Sequence, residues 1–466
     1  MKLYNTLSRK TEELAPLNSP AVSIYTCGPT VYDYPHIGNW FAYLRWDTLV
    51  RTLKASELQP TWVMNITDVG HLVSDADEGE DKLEKGARRE GKTAWDVAKF
   101  YTDYFVAGMH RLNMLEPDRL PRATEHITEQ IELIQKLEEK GFTYVIDDGV
   151  YYDTAKFPAY AAFARLDLEE QQAGARVQYN SQKRNPTDFA LWKFSPKDQT
   201  RDMEWDSPWG KGFPGWHLEC SAMSMKYLGE TLDIHAGGID HIPVHHTNEI
   251  AQSEAVTGKP LAKVWLHSNH ITVSGDKISK SLGNGITLEE IEQRGMPLMA
   301  LRLHVLESHY RSQSKFSWKS LAAAQSRLQS LYAMAVLRWQ PAQADHDNSA
   351  YFQEQADTIL TIMQDDLNSP EALAHISALQ SKLEAELVTA AELEAFEHLL
   401  RALDNLFGLQ LTAQPNITAE QQQLIADRQA ARQDKDWAAA DQSRDQLAGQ
   451  GLFVRDTPQG PIWYRI

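Results

Sequence analysis

The sequence predicts an α/β fold: a Rossmann-like parallel-sheet domain split by an inserted subdomain, followed by a helical bundle and a small C-terminal α+β unit. Three observations predict it. β-rich runs alternate with amphipathic helical runs on either side of a stretch, residues 115–200, whose pattern differs. After about Met296 the apolar period turns helical through five successive runs, most of them free of glycine or β-branched interruptions. Residues 417–466 then combine two helical runs with two β-rich segments. The expected boundaries are 1–295 for the first domain, 296–408 for the bundle and 417–466 for the last unit.

In chain order, Ala21 to Thr26 is a β-rich run broken by Gly28-Pro29, and His36-Ile37-Gly38-Asn39 opens an amphipathic run reaching about Leu53. Strand, loop and helix in that order point free backbone N–H groups at a phosphate. With a thiol at Cys27 and an imidazole at His36, the stretch suggests a nucleotide site beside a metal or nucleophile site. A second apolar run, Thr61 to Thr67, ends in Asn65-Ile66-Thr67-Asp68, at the strand edge where parallel sheets bind ligands. Ser74 to Lys92 is charged and reads as a solvated loop or exposed helix with no chemistry. Thr93 to about Met114 reads as a helix whose Trp95, Phe100, Tyr104 and Phe105 form a core stripe.

Within the insertion, Thr124 to Gly141 reads as a helix stopped by glycine. Tyr144 to Tyr152 encloses Asp147-Asp148-Gly149, a hairpin signal in which the glycine supplies positive φ. A glycine-rich turn, Trp209 to Trp216, precedes another helix, and Thr231–His235 and Val264–Val273 resume the strands. Gly237-Gly238-Ile239-Asp240 follows the first of these. Its glycines allow close approach to a ligand, and Asp240 could accept from a ribose hydroxyl or an ammonium, or simply cap a turn. The later helical runs are Ala300–Glu307, Ser317–Leu337, Glu354–Asp365, Ser369–Leu387 and Ala391–Leu406. A linker, Gln410–Asn416, leads to helices Thr418–Gln433 and Trp437–Gln450. A hairpin of Leu452–Arg455 and Pro461–Arg465, turned at Pro458-Gln459-Gly460, closes the chain.

Length and composition bound the function. The 466 residues suit about three domains, and a 42% apolar content is ample for packed cores. No apolar run could span a bilayer, so no membrane association is expected. The start, Met-Lys-Leu-Tyr-Asn-Thr, carries no apolar signal segment, and two cysteines exclude a disulfide framework, which suits a cytoplasmic protein. A net charge of −18 argues against indiscriminate binding to polyanions while leaving room for a local basic patch.

Two motifs carry a family resemblance. Pro35-His36-Ile37-Gly38-Asn39 resembles the His-Ile-Gly-His signature of class I aminoacyl-tRNA synthetases, and Cys27-Gly28-Pro29-Thr30-Val31-Tyr32-Asp33 narrows the likeness to cysteinyl-tRNA synthetases. Lys277-Ile278-Ser279-Lys280-Ser281 resembles the Lys-Met-Ser-Lys-Ser loop of the same class and follows in the expected order across the insertion. Two lysines flanking a small hydroxyl residue can neutralise charge developing on pyrophosphate as it leaves. The likeness covers almost the whole chain. It implies ATP binding by His36, Gly38, Asn39, Gly238, Asp240, Lys277 and Lys280, with His36, Asn39, Lys277 and Lys280 catalytic. It also implies an amino-acid pocket with Cys27, Thr67 and Trp216.

Cys220 lies at a helix start, and His245 and Glu249, four residues apart, share a helix face. From spacing alone such a pair is usually just a polar helix face. The resemblance implies one Zn²⁺ per chain on Cys27, Cys220, His245 and Glu249, with His246 the nearest competitor. Two thiolates, one nitrogen and one oxygen suit that ion, which would recognise a substrate thiol directly. ATP would arrive with Mg²⁺, for which no dedicated protein site is marked.

The resemblance implies a monomer that charges tRNA(Cys) with L-cysteine through cysteinyl-adenylate. Arg428, Arg432, Trp437 and Trp463 would lie at the tRNA interface, although the interleaved acidic residues fit an ordinary solvated face equally well. Two alternatives stand beside it: a cysteine ligase that passes the adenylate to a small amine, and an inactive RNA- or metal-binding paralogue. The terminal unit favours tRNA, and Lys280, His36 and the four candidate ligands favour activity. Trp40 and Phe41 stand where many members have a small residue and arginine, which bears on the shape of the nucleotide loop.

Overall fold

An N-terminal hairpin, β1 (Lys2–Asn5) and β2 (Lys10–Glu13), leads into the first strand of a parallel sheet, β3 (Ala21–Thr26). The computed structural model describes residues 1–70, 82–165, 181–196, 201–273, 276–277, 285–342, 346–458 and 460–465. From β3 the chain passes through α1 (Ile37–Ala55) to β4 (Gln59–Met64), which pairs parallel with β3 from Ala21↔Gln59 to Thr26↔Met64. Then come α2 (Lys82–Glu90), α3 (Ala94–Arg111) and α4 (Ile127–Glu139). An antiparallel sheet follows, in the order β5 (Thr143–Ile146), β6 (Gly149–Tyr152), β7 (Phe189–Phe194) and β8 (Gly212–Pro214). This sheet is the insertion.

The parallel sheet resumes after α5 (Trp216–Leu228) with β9 (Leu232–Gly238), α6 (Thr247–Thr257) and β10 (Ala262–Ser268). Its order is β10-β9-β3-β4. Val22, Ile24, Tyr25, Trp62, Val63, Ile234, Ala236, Trp265 and Leu266 are buried, the near-continuous apolar run of strands covered on both faces. β3 connects through α1 toward one edge and β9 through α6 toward the other. Their carboxyl ends therefore form the switch point at which open parallel sheets take ligands.

Three local expectations change. The run Val264–Val273 is two strands, β10 and β11 (Ile271–Val273), because Asn269 makes a turn: its Oδ1 accepts the His270 N–H at 2.8 Å. β11 then pairs with β12 (Asp276–Lys277). Gly149 starts β6 without positive φ; a Cβ there would lie 2.3 Å from the Trp192 carbonyl oxygen, so close approach is what requires glycine. The aromatic residues of α3 do not form one core stripe. Phe105 is buried and stacks on Trp40 at 5.3 Å, whereas Trp95 and Phe100 are exposed and Tyr104 is half-buried. Residues five apart diverge by about 140° around a helix, so Trp95, Phe100 and Phe105 cannot share a face. Trp40 and Phe41 themselves are core residues of α1.

Buried charge ties α1 to the sheet's binding edge. The Arg45 guanidinium, 4% exposed, donates to Ser268 Oγ at 2.7 Å, the Asn269 carbonyl at 2.9 Å and Ser314 Oγ at 2.6 Å. Burial alone lowers its pKa to about 10, still fully charged at neutral pH.

The chain divides into two compact units: Met1–Leu288 with Tyr310–Ser314, and Glu289–His309 with Lys315–Ile466. The second is built from α7 (Leu298–Leu306), α8 (Trp318–Ala335), α9 (Ser349–Met363), α10 (Ser369–Glu386) and α11 (Leu393–Phe407). Ser317 and Ser320 form a capping box at the start of α8, and Gly408, at φ 62°, ends α11. The unit closes with α12 (Ala419–Gln433), α13 (Trp437–Gly449) and an antiparallel pair, Leu452–Thr457 with Gly460–Arg465. Of the expected turn, Gln459 lies outside the described residues. Trp463 packs with Val336, Ile417, Leu447 and Leu452 in the core of this unit.

Candidate active site

The carboxyl ends of β3, β4, β9 and β10 open into a cleft of about 510 Å³, lined by Cys27, Gly28, His36, Gly38, Asn39, Asn65, Thr67, Trp216, Cys220, Gly238, Asp240 and His245 among others. His36 is the N-cap of α1, and its backbone N–H donates to Asn39 Oδ1 at 3.1 Å, a capping box that starts the helix at the cleft. The imidazole lies against Gly38, where a Cβ would stand 2.9 Å from His36 Cε1. At Gly28 a Cβ would lie 1.8 Å from the Asn65 carbonyl oxygen, so only glycine lets the loop after β3 close onto the end of β4.

A polar relay runs beneath that loop. The Gly28 N–H donates to Asn65 Oδ1 at 2.9 Å, Asn65 Nδ2 donates to Thr67 Oγ1 at 3.0 Å, and Thr67 Oγ1 donates to Glu219 Oε2 at 2.9 Å. Asn65, Thr67 and Glu219 are all buried. The carboxylate can only accept, so the Thr67 hydroxyl spends its one proton on Glu219. Asp68 belongs to a different contact: it accepts the Thr124 N–H at 2.9 Å and hydroxyl at 2.7 Å, and burial raises its pKa to about 6.

Cys27, Cys220, His245 and Glu249 converge at one end of the cleft, their ligand-type atoms within 4.8 Å of one another and all four residues buried. His245 Nε2 and Glu249 Oε1 stand 3.0 Å apart, and neither atom has a hydrogen-bond partner. Histidines hold this group in place. His235 Nε2 donates to Glu249 Oε2 at 2.8 Å, and His217 and His245 meet through their Nδ1 atoms at 3.0 Å. Trp216 lies over the His245 ring at 4.4 Å, and Trp265 stacks on His235 at 4.5 Å. Such partners select the tautomer and orientation of a ligating residue. His246, the competitor, faces Cys27 Sγ at 3.3 Å, its Nδ1 meets His267 Nε2 at 2.8 Å, and His267 Nδ1 meets the Thr6 hydroxyl at 2.8 Å. Cys27, His241 and His246 form an overlapping cluster, as do His235, His246 and Glu249.

The metal-free electrostatics follow from burial opposed by close charge. Burial penalises the Cys27 thiolate, yet Cys220 and the His246 and His241 rings outweigh it and hold Cys27 well below the ordinary thiol value. Cys220 is pushed up, by burial and by Cys27 itself. Burial disfavours charge on His245, but the Glu249 carboxylate overcomes this and lifts it to about 10. Glu249, against its own burial, is drawn down to about 2 by His235 and His245. His246 falls to about 4 through burial.

Other expected residues are distributed as follows. Gly238 and Asp240 reach the cleft, where Asp240 Oδ1 pairs with His270 Nε2 at 3.1 Å. Lys277 ends β12, pairing in register with Thr272, and Lys280 lies outside the described residues. In the second unit, Arg428 is 6% exposed and grips both oxygens of Asp456 at 2.8 and 2.9 Å. With Trp463 in the core, neither offers the surface cation or stacking face expected of it; each braces the terminal hairpin. Arg432 and Trp437 do face solvent, the guanidinium 5.7 Å from the indole ring. The sequence reading placed Asn65 at the binding edge without a role and missed Glu219, His217, His235, His241 and His267. For His235 and His267 the available signal was a polar residue within an otherwise apolar strand; His217, Glu219 and His241 lie on helical segments and carried none.

Comparison with known proteins bears on all of this. Residues 13–326 match the family model of the tRNA synthetases class I (C) catalytic domain, 360–412 the DALR domain, and 414–465 the cysteinyl-tRNA ligase anticodon binding domain. The chain belongs to the cysteine–tRNA ligase family. The cysteine–tRNA ligase 1 of Burkholderia lata is 45% identical over 465 residues, covering 99% of this chain and 96% of that protein. The cysteine–tRNA ligase of Treponema denticola is 41% identical over 497 residues and covers all of both chains. The methionyl-tRNA synthetase of Mycobacterium tuberculosis, solved with methionyl-adenylate, superposes with a TM-score of 0.59 at 14% identity, covering 84% of this chain and 92% of that one. That last likeness is one of fold. Class I synthetases use ATP, and among the described residues no helix is long and apolar enough to cross a membrane.

Proposed function

We propose that the chain is a cysteine–tRNA ligase. Cysteine's carboxylate attacks the α-phosphate of ATP, giving cysteinyl-adenylate and pyrophosphate; a 3′-terminal ribose hydroxyl of tRNA(Cys) then takes the cysteinyl group and AMP leaves. One observation carries the reading: two thiols, an imidazole and a carboxylate meet at the end of the same cleft that the N-terminus of α1 opens. The full-length family match, including the anticodon-binding unit, favours tRNA over a small amine as acceptor.

The donor set fits a soft divalent cation, because His245 Nε2 and Glu249 Oε1, buried and without a hydrogen bond, face each other as an ion pair beside two thiols. Cys27, Cys220, His245 and Glu249 would hold Zn²⁺, which when bound supplies a Lewis acid that prefers the substrate's thiolate to serine's hydroxyl. Thr67, its proton committed to Glu219, presents only acceptor capacity to the cleft, which suits an ammonium group. Trp216 walls the pocket over His245 and limits the side chain it admits. The N-terminus of α1, with His36, Gly38 and Asn39, lies at the cleft and would set the positive end of the helix dipole against the phosphates. Gly238 and Asp240 line the cleft for the ribose, and Mg²⁺ would enter with ATP. Lys277 and Lys280 are assigned to the departing pyrophosphate on the likeness of their loop. Arg432 and Trp437 are assigned to the tRNA's unpaired anticodon bases. We place the enzyme in the cytoplasm, as a monomer.

Cysteine-dependent ATP–pyrophosphate exchange, with zinc content measured on the wild type and on Cys220→Ala, tests the reading. Exchange and bound zinc should fall together by at least a hundred-fold in the variant. A folded, zinc-loaded wild type that exchanges nothing would end the proposal, and exchange that survives zinc loss would end its account of thiol selection.

A further inference from the structure

We propose that Cys27, His241 and His246 form a second site for a soft divalent cation, beside the four-ligand set and open toward the cleft. The Cys27 sulfur and one ring nitrogen from each histidine lie within 4.8 Å of one another. His246 Nε2 is 3.3 Å from Cys27 Sγ, and both residues are buried. His241 Nδ1 is also buried, and it has no hydrogen-bond partner. A donor set of this kind, with an orphaned nitrogen in it, is what a cation would complete.

The local chain builds this cluster. β9 gives way to a short turn, Ile239–His241, and then to a wide π-type turn, Ile242–His246, ahead of α6. Residues five apart diverge by about 140° around an α-helix, but a π-type turn returns them to one side. His241 and His246 accordingly meet edge to face, their ring centres 5.1 Å apart. The same turn sends His245 to Glu249 and its neighbour His246 to Cys27. Gly237 makes the room: a Cβ there would lie 2.6 Å from His241 Nδ1 and 2.8 Å from His246 Nε2. His246 Nδ1 meets His267 Nε2, and His267 Nδ1 meets the Thr6 hydroxyl. A proton on each Nδ1, donated along that chain, leaves the His246 Nε2 lone pair for a cation.

One thiolate and two imidazoles suit Zn²⁺, Co²⁺ or Cd²⁺, and three protein ligands leave a fourth position open. Cys27 and His241 line the cleft, so that position faces it. Cys27 would bridge this cation and the one held with Cys220, His245 and Glu249. Two dications against two thiolates and one carboxylate leave a single positive charge in a buried setting, so the ligand that completes the second site is an anion: a thiolate or a hydroxide. The inference goes beyond the ligase reading and shares with it only Cys27.

Titration of the metal-free full chain with Co²⁺ tests the site, following bound cobalt and thiolate-to-cobalt charge-transfer absorption together. The wild type should take up two equivalents, the second more weakly. The second should add about half the charge-transfer absorption of the first, because it makes one cobalt–sulfur bond where the first makes two. His241→Leu should keep the first equivalent, which also reports that the variant is folded, and bind the second roughly ten-fold or more weakly. Gly237→Ala should weaken the second equivalent in the same direction by displacing both rings. Saturation of the wild type at one equivalent overturns the inference. So does a second equivalent that adds no charge-transfer absorption or ignores His241→Leu. Loss of both equivalents in His241→Leu also overturns it, since the ring would then serve the four-ligand set. A wild type inactive in ATP–pyrophosphate exchange would defeat the ligase reading, while the titration would still judge the second site.

Discussion

Glu249 shows how much one buried side chain is asked to do. Its Oε2 is committed to His235, and its Oε1 faces His245 without a hydrogen bond. In the metal-free protein Glu249 sits at about 2, below its ordinary 4.5, and His245 at about 10, above its ordinary 6.5. The depressed carboxylate stabilises the fold above pH 4.5 and loses that contribution as pH falls through about 2. The raised imidazole stabilises it below pH 6.5 and loses that contribution as pH rises through about 10. The contribution of this pair is therefore fullest between pH 4.5 and 6.5, and the melting difference between metal-free wild type and Glu249→Gln should be largest there. Ligation needs neutral His245 and deprotonated Cys220, so zinc uptake near pH 7.5 should release about two protons. Calorimetry in buffers of differing ionisation heat would read this number, and a value near zero would remove these residues from the ligand set. His235→Ala should lower zinc affinity about ten- to a hundred-fold while leaving the four ligands in place.

At the scale of elements, the terminal hairpin separates bracing from display. Arg428 and Asp456 join α12 to the strand Leu452–Thr457, with Arg428 buried and Asp456 half open to water. Arg428→Ala should cost roughly 1–2 kcal/mol, discounted for that exposure, and should speed amide exchange in the hairpin. Trp437→Ala, at an indole 57% exposed, should leave melting unchanged and raise the KM for tRNA(Cys) roughly ten-fold. If the effects appear the other way round, the assignment of faces in this unit is inverted. Arg45 is the corresponding brace in the first unit. Arg45→Met would strand three acceptors, at the end of β10, in the turn after it and at Ser314, and should lower stability by about 3 kcal/mol in denaturant unfolding.

For the molecule as a whole, a net charge of −18 means that a polyanion is attracted only where cations gather locally. Charging of tRNA(Cys) should then weaken steeply with salt, while tRNA-free ATP–pyrophosphate exchange should vary little between 50 and about 200 mM. Equal salt sensitivity of the two would show that the tRNA contacts assigned here, Arg432 among them, carry little of the binding.

The sequence by itself determined the class of fold and the chemistry. Strand–loop–helix order, the His36–Asn39 string and the lysine loop are local patterns, and each is legible because it depends on neighbours within a few residues. Tertiary structure alone decided which side chains meet. Cys27 and Cys220 are 193 positions apart and share a pocket only because α5 packs over the end of β3. His217, His235 and His267 are ordinary polar residues in the sequence, and they become supports for that pocket through the packing of α5 and the register of β9 and β10. The same reason governs the errors. Arg428 and Trp463 have the composition of a nucleic-acid surface, and Phe100 that of a core, but burial depends on what packs against a residue, and that is not written within its own segment.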